Sequence, residues 1–218
     1  MSDMTVYVDQ IFIKVNGTLI DEPTMNALLD AEISTSLGLP AMFILRFADP
    51  SLELVDTNKF PLGKPVEIEI KSRGTESTAT VIKGEITAIE PEFRDGGDAI
   101  LTVRGYDKSH RLNRGTKTEA FINVKDSDIA TEIAGNVGLS PQVDTTSEVH
   151  DHVYQDNQSD LAFLHMLAQR NGFEVFVDDE KLYFQKAQAS SAEITLEWGM
   201  NLEVFSPRLS ISKQVDEV

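Results

Sequence analysis

Residues 100–112 read ILTVRGYDKSHRL, and the fold turns on how they are parsed. Side chains alternate along a strand. Ile100, Thr102 and Arg104 therefore share one face, and Leu101, Val103 and Gly105 the other. From Tyr106 the alternation stops, and Asp107-Lys108-Ser109-His110-Arg111 is a short polar, basic run. The stretch reads as a junction, the end of one β domain and the entry to the next. Arg104 and Asp107 are expected to make hydrogen bonds or ion pairs there. Tyr106 to Arg111 are not expected to line an open pocket.

Upstream, residues 65–71 are the cleanest strand: Val66, Ile68 and Ile70 alternate with Glu67, Glu69 and Lys71, giving one buried and one wet face. Residues 72–77 read as a polar turn. Residues 78–90 read as a long strand, with a bulge or bend expected at Gly84. Arg94 to Asp98 form the loop back to residue 100. Nearer the start, Val6 and Val8 give way to Ile11, Ile13 and Val15 on the opposite parity, which predicts a bulge. Asn16-Gly17 between apolar runs predicts a hairpin, because both turn positions need positive φ. In residues 24–37, Ala27, Leu29, Ala31, Ile33 and Leu37 fit a strand, and Met25, Leu28, Leu29 and Glu32 also suit a helical turn. Ser34-Thr35-Ser36 favours strand, these being poor helix-interior residues. Pro40 punctuates, residues 42–47 are a strand, and Asp49-Pro50 marks a turn. Roughly seven strands in about 110 residues read as a barrel or sandwich.

Downstream of Arg114-Gly115 the pattern becomes mixed. Residues 121–124 are a short strand. Asp126 or Ser127 caps a helix whose stripe is Ile129, Ile133 and Val137, with Ala130 and Ala134 beside them, and Gly138 ends it in the left-handed region. Residues 143–154 are polar and extended. Asn157, with Asp160 three residues on, reads as the cap of a second helix carrying Leu161, Leu164, Leu167 and Ala168, stopped by Asn171-Gly172. Residues 173–177 and 181–185 form a hairpin about Asp178-Asp179. Residues 187–192 read as a linker. Strands are expected at 193–196, at 202–205 and from Leu209 and Ile211. That tail has too little core to stand alone.

Composition narrows the function. The chain has 218 residues with 41% hydrophobic and 25% charged, which fits folded domains. Its formal net charge is −17. That argues against nucleic acid and against an anionic membrane surface, both of which call for basic patches. With no cysteine, disulfides, thiolate metal sites and a cysteine nucleophile are excluded. The first ten residues lack a basic region followed by an apolar core, so they do not read as a secretory signal. No apolar run approaches the ~20 residues of a membrane-spanning helix.

Candidate chemistry is thin. His150-Asp151-His152 has ligand-like spacing on a strand, and no third ligand is indicated. His165 reads as a helix-surface histidine. His110 with Asp107 and Ser109 superficially resembles a nucleophile triad, but so close a spacing cannot set one side chain as a relay between the others. Glu90 with Glu92, or Asp178 with Asp179, carries no specificity as a glycosidase pair. Trp198 reads as a core or rim anchor rather than a sugar platform. Gly115-Thr116-Lys117-Thr118 lacks the upstream glycine of a phosphate loop. Lys108, Arg111, Arg114 and Lys117 form the densest basic run, able to meet an acidic partner or to offset nearby acids. No catalytic, cofactor or metal residue is assigned, and partner-binding residues stay open.

Several motifs lie in a telling order: Val81 through Phe93 (VIKGEITAIEPEF), Leu101 through Leu112 (LTVRGYDKSHRL), Asp126-Ser127-Asp128-Ile129-Ala130, Gln155-Asp156-Asn157-Gln158-Ser159-Asp160 followed by Phe163-Leu164, residues 178–184 (DDEKLYF), and Phe205-Ser206-Pro207-Arg208-Leu209-Ser210. In this order they resemble the phage late control D/VgrG family, from about residue 33 to the end. The resemblance implies a hub or spike protein of a contractile injection machine. The fold is then α+β, mainly β, with a tube-like antiparallel barrel at 1–113, a small α/β domain with two helices at 114–187, and the first strands of a second barrel at 188–218. It implies a homotrimer in the full-length protein, joining a trimeric spike to a hexameric inner tube. The partners are then the tube protein and other spike, needle and baseplate proteins, with no cofactor, nucleic acid or membrane. The protein would be made in the cytoplasm and assembled into the particle. Family members usually continue well beyond this length, so the chain is expected to be either an N-terminal portion or one part of a hub whose remainder is a separate protein. The rival readings are a hub-associated peptidoglycan hydrolase, which needs a perturbed carboxylate pair, and a monomeric binding module using the basic run.

Overall fold

The computed structural model describes residues 10–36, 38–71, 77–187, 195–200, 202 and 204–206. The chain divides into two compact units, Met1–Ala187 and Gln188–Val218. The expected strand at Val6 and Val8, most of the 72–77 turn, and the strand from Leu209 lie outside the described residues.

The first unit opens with a seven-stranded antiparallel sheet. Its strands are β1 (Gln10–Val15), β2 (Thr18–Leu19), β3 (Leu28–Ser36), β4 (Leu39–Ala48), β5 (Pro65–Lys71), β6 (Ala79–Phe93) and β7 (Ala99–Tyr106), in the order β2-β1-β5-β6-β7-β4-β3. Asn16 and Gly17 both take positive φ, 51° and 79°, and turn β1 into β2 as their side chains permit. Pairing does not close the sheet into a barrel: β2 and β3 are its two ends. Yet those ends are joined only by residues 20–27, within which lies α1 (Glu22–Asn26). Asp21 caps α1 by accepting from the Thr24 N–H at 3.0 Å, and Pro23 sits in its first turn, where no N–H is needed. The helical turn and the strand predicted in residues 24–37 thus both exist, in succession. Met25, Ala27 and Ile20 pack against the core from this link.

That core is formed by one face of the sheet. Ile13, Phe43, Leu45, Phe47, Val66, Ile68, Leu101 and Val103 are buried in it, with Phe60 against Phe47 at a ring separation of 4.8 Å. Phe60 follows α2 (Glu53–Asp56). Asp49 stands at the end of β4, and its two carboxylate oxygens accept from the Leu54 and Val55 N–H groups at 3.1 Å each. Gly84 is not a bulge: the register Val66↔Gly84 is regular, and the irregularities fall between Ile68 and Glu69 of β5 and between Ile86 and Ala88 of β6. Gly84 and Gly105 are there for closeness. A Cβ at Gly105 would lie 2.2 Å from Phe43 Cζ and 2.3 Å from the Glu85 carbonyl oxygen, and one at Gly84 would lie 2.5 Å from the Tyr106 carbonyl oxygen. Pro40 lies inside β4, at a break in its pairing with β3.

After a 3-10 turn at Lys108–Asn113 come β8 (Lys117–Val124), α3 (Asp126–Asn136), β9 (Ser140–Val143), β10 (His150–Gln158), α4 (Asp160–Asn171), β11 (Phe173–Asp178) and β12 (Lys181–Lys186). β8 and β10 make a two-stranded ribbon, and β11-β12-β9 a three-stranded sheet in which β12 and β9 run parallel. A second core lies between them: Ile129, Ile133, Phe163, Leu164, Leu167, Leu182 and Phe184, with Leu112 reaching in from the 3-10 turn. Two caps differ from expectation. Ser159, not Asn157, caps α4 by accepting from the Ala162 N–H at 3.2 Å, because Asn157 still belongs to β10 and takes φ 47°. Lys125 is the cap position of α3, and the Asp128 carboxylate accepts its N–H. Gly138 and Gly172 do stand in the left-handed region.

In the second unit the strands predicted at 193–196 and 202–205 do not appear at the described positions. Trp198 and Leu202 form an isolated bridge about a turn at Gly199, φ 85°. A strand needs a neighbour to take its backbone hydrogen bonds, and the described residues here supply no ladder. Trp198 is 91% exposed, so it is not a core anchor within this unit.

Candidate functional site at the corner after β7

The 3-10 turn sits where the two cores meet, and its basic residues are turned to internal partners. Asp107 starts it. Its carboxylate accepts from the Ala41 N–H of β4 at 3.0 Å and from the Ser109 N–H at 2.9 Å, and its own N–H donates to the Ala41 carbonyl at 2.9 Å. Arg111 donates to the buried Glu85 of β6 through Nε at 3.1 Å and through Nη2, and to the Val137 carbonyl at the end of α3 at 3.1 Å. One guanidinium therefore ties the sheet, the turn and the first helix of the α/β layer together, a use of its forked donors that a lysine could not reproduce. Lys108 pairs with Glu180 in the β11–β12 turn, and Lys83 of β6 pairs with Asp179 there at 3.2 Å. Arg104 pairs with Glu90 across β6 and β7 at 3.0 Å.

His110 Nδ1 lies 2.6 Å from the Asp107 carbonyl oxygen, and its Nε2 lies 2.8 Å from Arg114 Nη2. The guanidinium can only donate. In that contact Nε2 accepts, and Nδ1 faces the Asp107 carbonyl. Ser109 Oγ donates to Asp107. The three side chains thus form a turn cap, with His110 bonded to backbone rather than to serine, and not a nucleophile relay. The fourth basic residue, Lys117, pairs with the buried Asp160 at 2.7 Å, and Gln155 Nε2 donates to the same carboxylate at 3.1 Å. All four have an internal partner: Lys108, Arg111 and Lys117 offset acids within the fold, and Arg114 is bonded to His110.

Two clefts flank the corner. One, of about 350 Å³, is lined by residues including Val81, Lys83, Asp107 and Asp179. The other, of about 170 Å³, is lined by residues including Gly38, Asp107, Ser109, Leu161, His165 and Val177. Asp107 and Ser109 therefore do border clefts, against the expectation that the corner faces none.

The sequence named Asp126 only as a helix cap. Its side chain is 1% exposed and paired with Arg170, with Asn171 donating at 2.5 Å and His150 Nε2 at 3.6 Å. Burial alone pushes this carboxyl up. The hydrogen bonds from Arg170 and Asn171 and the nearby positive charge prevail and hold it below its ordinary value. Asp21 is lowered to about 2 by hydrogen bonds from Lys59 and Thr24, and Glu92 is lowered by Arg94. All three move away from the raised value that a catalytic acid needs. Among the described residues no three His, Asp or Glu side chains group as metal ligands, and no helix is long and apolar enough to cross a membrane. His152 points outward beside Tyr154, their rings 6.3 Å apart. The burial of Glu85, Gln155 and Asp160 was not read from the sequence, where Asp160 was taken only as part of a helix cap; each is a polar residue in an ordinary polar position of its strand or helix, and only the packing buries it.

The description of the Alg8 N-terminal domain matches residues 41–218, and the chain belongs to that family. Over 118 residues it is 34% identical to a "Probable baseplate hub protein" of Escherichia phage 186, a match spanning 52% of this chain and 30% of the relative. The chain thus covers under a third of that protein. Solved structures with the same fold include the 43 kDa tail protein of prophage MuSo2 from Shewanella oneidensis (TM-score 0.68, 18% identity, 90% of this chain and 59% of that one). A tail protein from Neisseria meningitidis MC58 matches with TM-score 0.57 and 14% identity, over 82% and 50% of the chains. The E. coli c3393 protein, a type VI secretion component described as structurally similar to T4 tail proteins gp27 and gp5, matches with TM-score 0.51 and 16% identity, over 79% and 48%. The resemblance to baseplate hub proteins read from the sequence is shown by the phage 186 relative, and the solved tail proteins share the chain's fold.

Proposed function

We propose that the chain is the N-terminal part of a baseplate hub or spike subunit that joins a trimeric spike to a hexameric inner tube. The observation that carries this reading is the 34% identity to a probable baseplate hub protein, on a fold shared with phage tail proteins. In this reading the seven-stranded sheet is the wall of a tube-like barrel. Residues 1–113 form that first domain, 114–187 the α/β domain, and 188–218 the first strands of a second barrel, which form once they have partners to pair with. The two separate cores support the division near residue 113, with Leu112 already in the second core.

The role is structural rather than catalytic. The described carboxylates with displaced ionisation are stabilised as anions, and the basic run is engaged internally. The full-length protein is a homotrimer whose partners are the tube protein, the spike and other baseplate proteins, without nucleic acid or membrane. It is made in the cytoplasm and assembled into an injection particle. The test is light scattering on the full-length parent, followed by cryo-electron microscopy of the particle. A trimer seated between tube and spike is expected. A full-length protein that stays monomeric at high concentration, or density for it elsewhere in the particle, overturns the proposal.

A further inference from the structure

His165 is the one titratable side chain on α4 that faces the join between the two cores. Its ring sits against Gly38 in the β3–β4 turn: a Cβ built at Gly38 would lie 3.5 Å from Nε2 and 3.6 Å from Cε1. Gly38 has φ 77°, so a side chain there is disfavoured on backbone grounds as well. Nε2 is buried and has no hydrogen-bond partner. It belongs to the cleft of about 170 Å³ bounded by the β3–β4 turn (Ser36, Gly38, Leu39, Ala41), the corner (Asp107, Ser109), α4 (Leu161, His165) and β11 (Val175 to Val177). The turn and β11 contribute no ionisable side chain to it. Asp107 is the single carboxylate in the lining, and its oxygens already accept from Ala41, Ser109 N–H and Ser109 Oγ.

We propose that His165 makes this join acid-sensitive: neutral, it packs α4 against the β3–β4 turn, and protonated, it places a buried, poorly solvated charge in the cleft and drives the two apart. A buried imidazolium needs a hydrogen-bond acceptor or an anion; the described lining offers the Gly38 backbone beside the ring and an Asp107 carboxylate already engaged by Ala41 and Ser109, and burial outweighs them. Burial pushes His165 below its ordinary value, with the Gly38 backbone beside the ring working more weakly the other way. The sign follows from linkage. A folded state that binds the proton less readily than the unfolded chain loses stability as pH falls below about 6.5, the unfolded imidazole value. Above that value nothing is lost.

The experiment is a histidine-ring NMR titration of the 218-residue chain, with the His165 resonance assigned by its absence in His165→Gln. It is paired with hydrogen exchange of residues 36–41 at pH 7.5 and pH 5.0, corrected for the intrinsic pH dependence of exchange. His165 is expected to titrate below 6.5. Exchange in 36–41 is expected to speed up at least tenfold at the lower pH relative to β5, and to stay flat in His165→Gln. A His165 that titrates at or above 6.5 overturns the proposal, as does an acceleration that persists in the variant. Wild-type exchange in 36–41 that stays flat between pH 7.5 and pH 5.0 also overturns it, whether or not the variant folds.

Discussion

At the residue scale, the close approaches set the strictest limits. Gly105 faces Phe43 and the Glu85 carbonyl at distances no Cβ can occupy. Phe43 is fully buried, and the carbonyl is backbone, so neither can yield cheaply. Gly105→Ala is expected to cost on the order of 3 kcal/mol or more, read by denaturant unfolding; a loss under about 1 kcal/mol would show that the sheet can shift to accommodate it. Asp126 sets a different limit. Its carboxyl is held below its unfolded value, so its contribution to stability is complete above about pH 4 and is lost as pH falls through the lower folded value. Asp126→Asn is expected to destabilise the chain by about 2 kcal/mol at neutral pH, the half-exposed Arg170 being partly solvated once its partner is gone. The variant should also flatten the loss of melting temperature between pH 5 and pH 3. An unchanged acid profile would mean that other carboxylates carry the effect.

At the element scale, the caps and the 3-10 turn decide where helices begin and which layers touch. Ser159→Ala removes the acceptor for the Ala162 N–H and should cost about 1 kcal/mol. Asn157→Gly keeps the positive φ and should change stability by only a few tenths. Equal losses at the two sites would put the start of α4 at Asn157 after all. Arg111 is the larger test. Replacing it with Met keeps bulk but leaves the buried Glu85 without its guanidinium, which should cost about 3 kcal/mol. Double replacement with Glu85→Gln should recover part of that loss, as a denaturation cycle would report. Purely additive losses would mean that the pair does not couple.

At the scale of the whole molecule, charge and the two cores act together. A net charge of −17 on 218 residues repels itself in the compact state. Raising salt from about 20 to 300 mM shortens the Debye length to well under the size of the first unit, so the melting temperature should rise. A fall would mean that the ion pairs across the corner outweigh the general repulsion. The cores are separately packed, and the 3-10 turn contributes Leu112 to the second alone. Phe163, stacked on Phe121 at 5.8 Å, lies in the second core only, and its replacement by Ala should cost about 3–5 kcal/mol. The tail presents Trp198, Met200, Val204 and Phe205 to solvent, an apolar surface that fits the proposed continuation of its strands into a second barrel.

The stretch at residues 100–112 shows what sequence determined and what it left open. Alternation fixed β7, β5 and the parity of their buried faces, since Leu101 and Val103 or Val66 and Ile68 can be buried together on only one side of a pleated strand. Asn16-Gly17, Gly138 and Gly172 were readable because positive φ is a local demand met by few residue types. The order of weak motifs carried the relationship to hub proteins. Tertiary structure alone decided the rest. It set Gly84 as a point of contact rather than a bulge, moved the cap of α4 to Ser159, and kept the ends of the sheet apart with α1 between them. It also brought Arg111 to Glu85, Asp126 to Arg170 and His165 to Gly38, pairs separated by 26, 44 and 127 positions in the chain. Local sequence specifies backbone conformation and burial pattern. It holds no record of which distant group meets a charge or a ring, because that is set by how elements pack within and between the two cores.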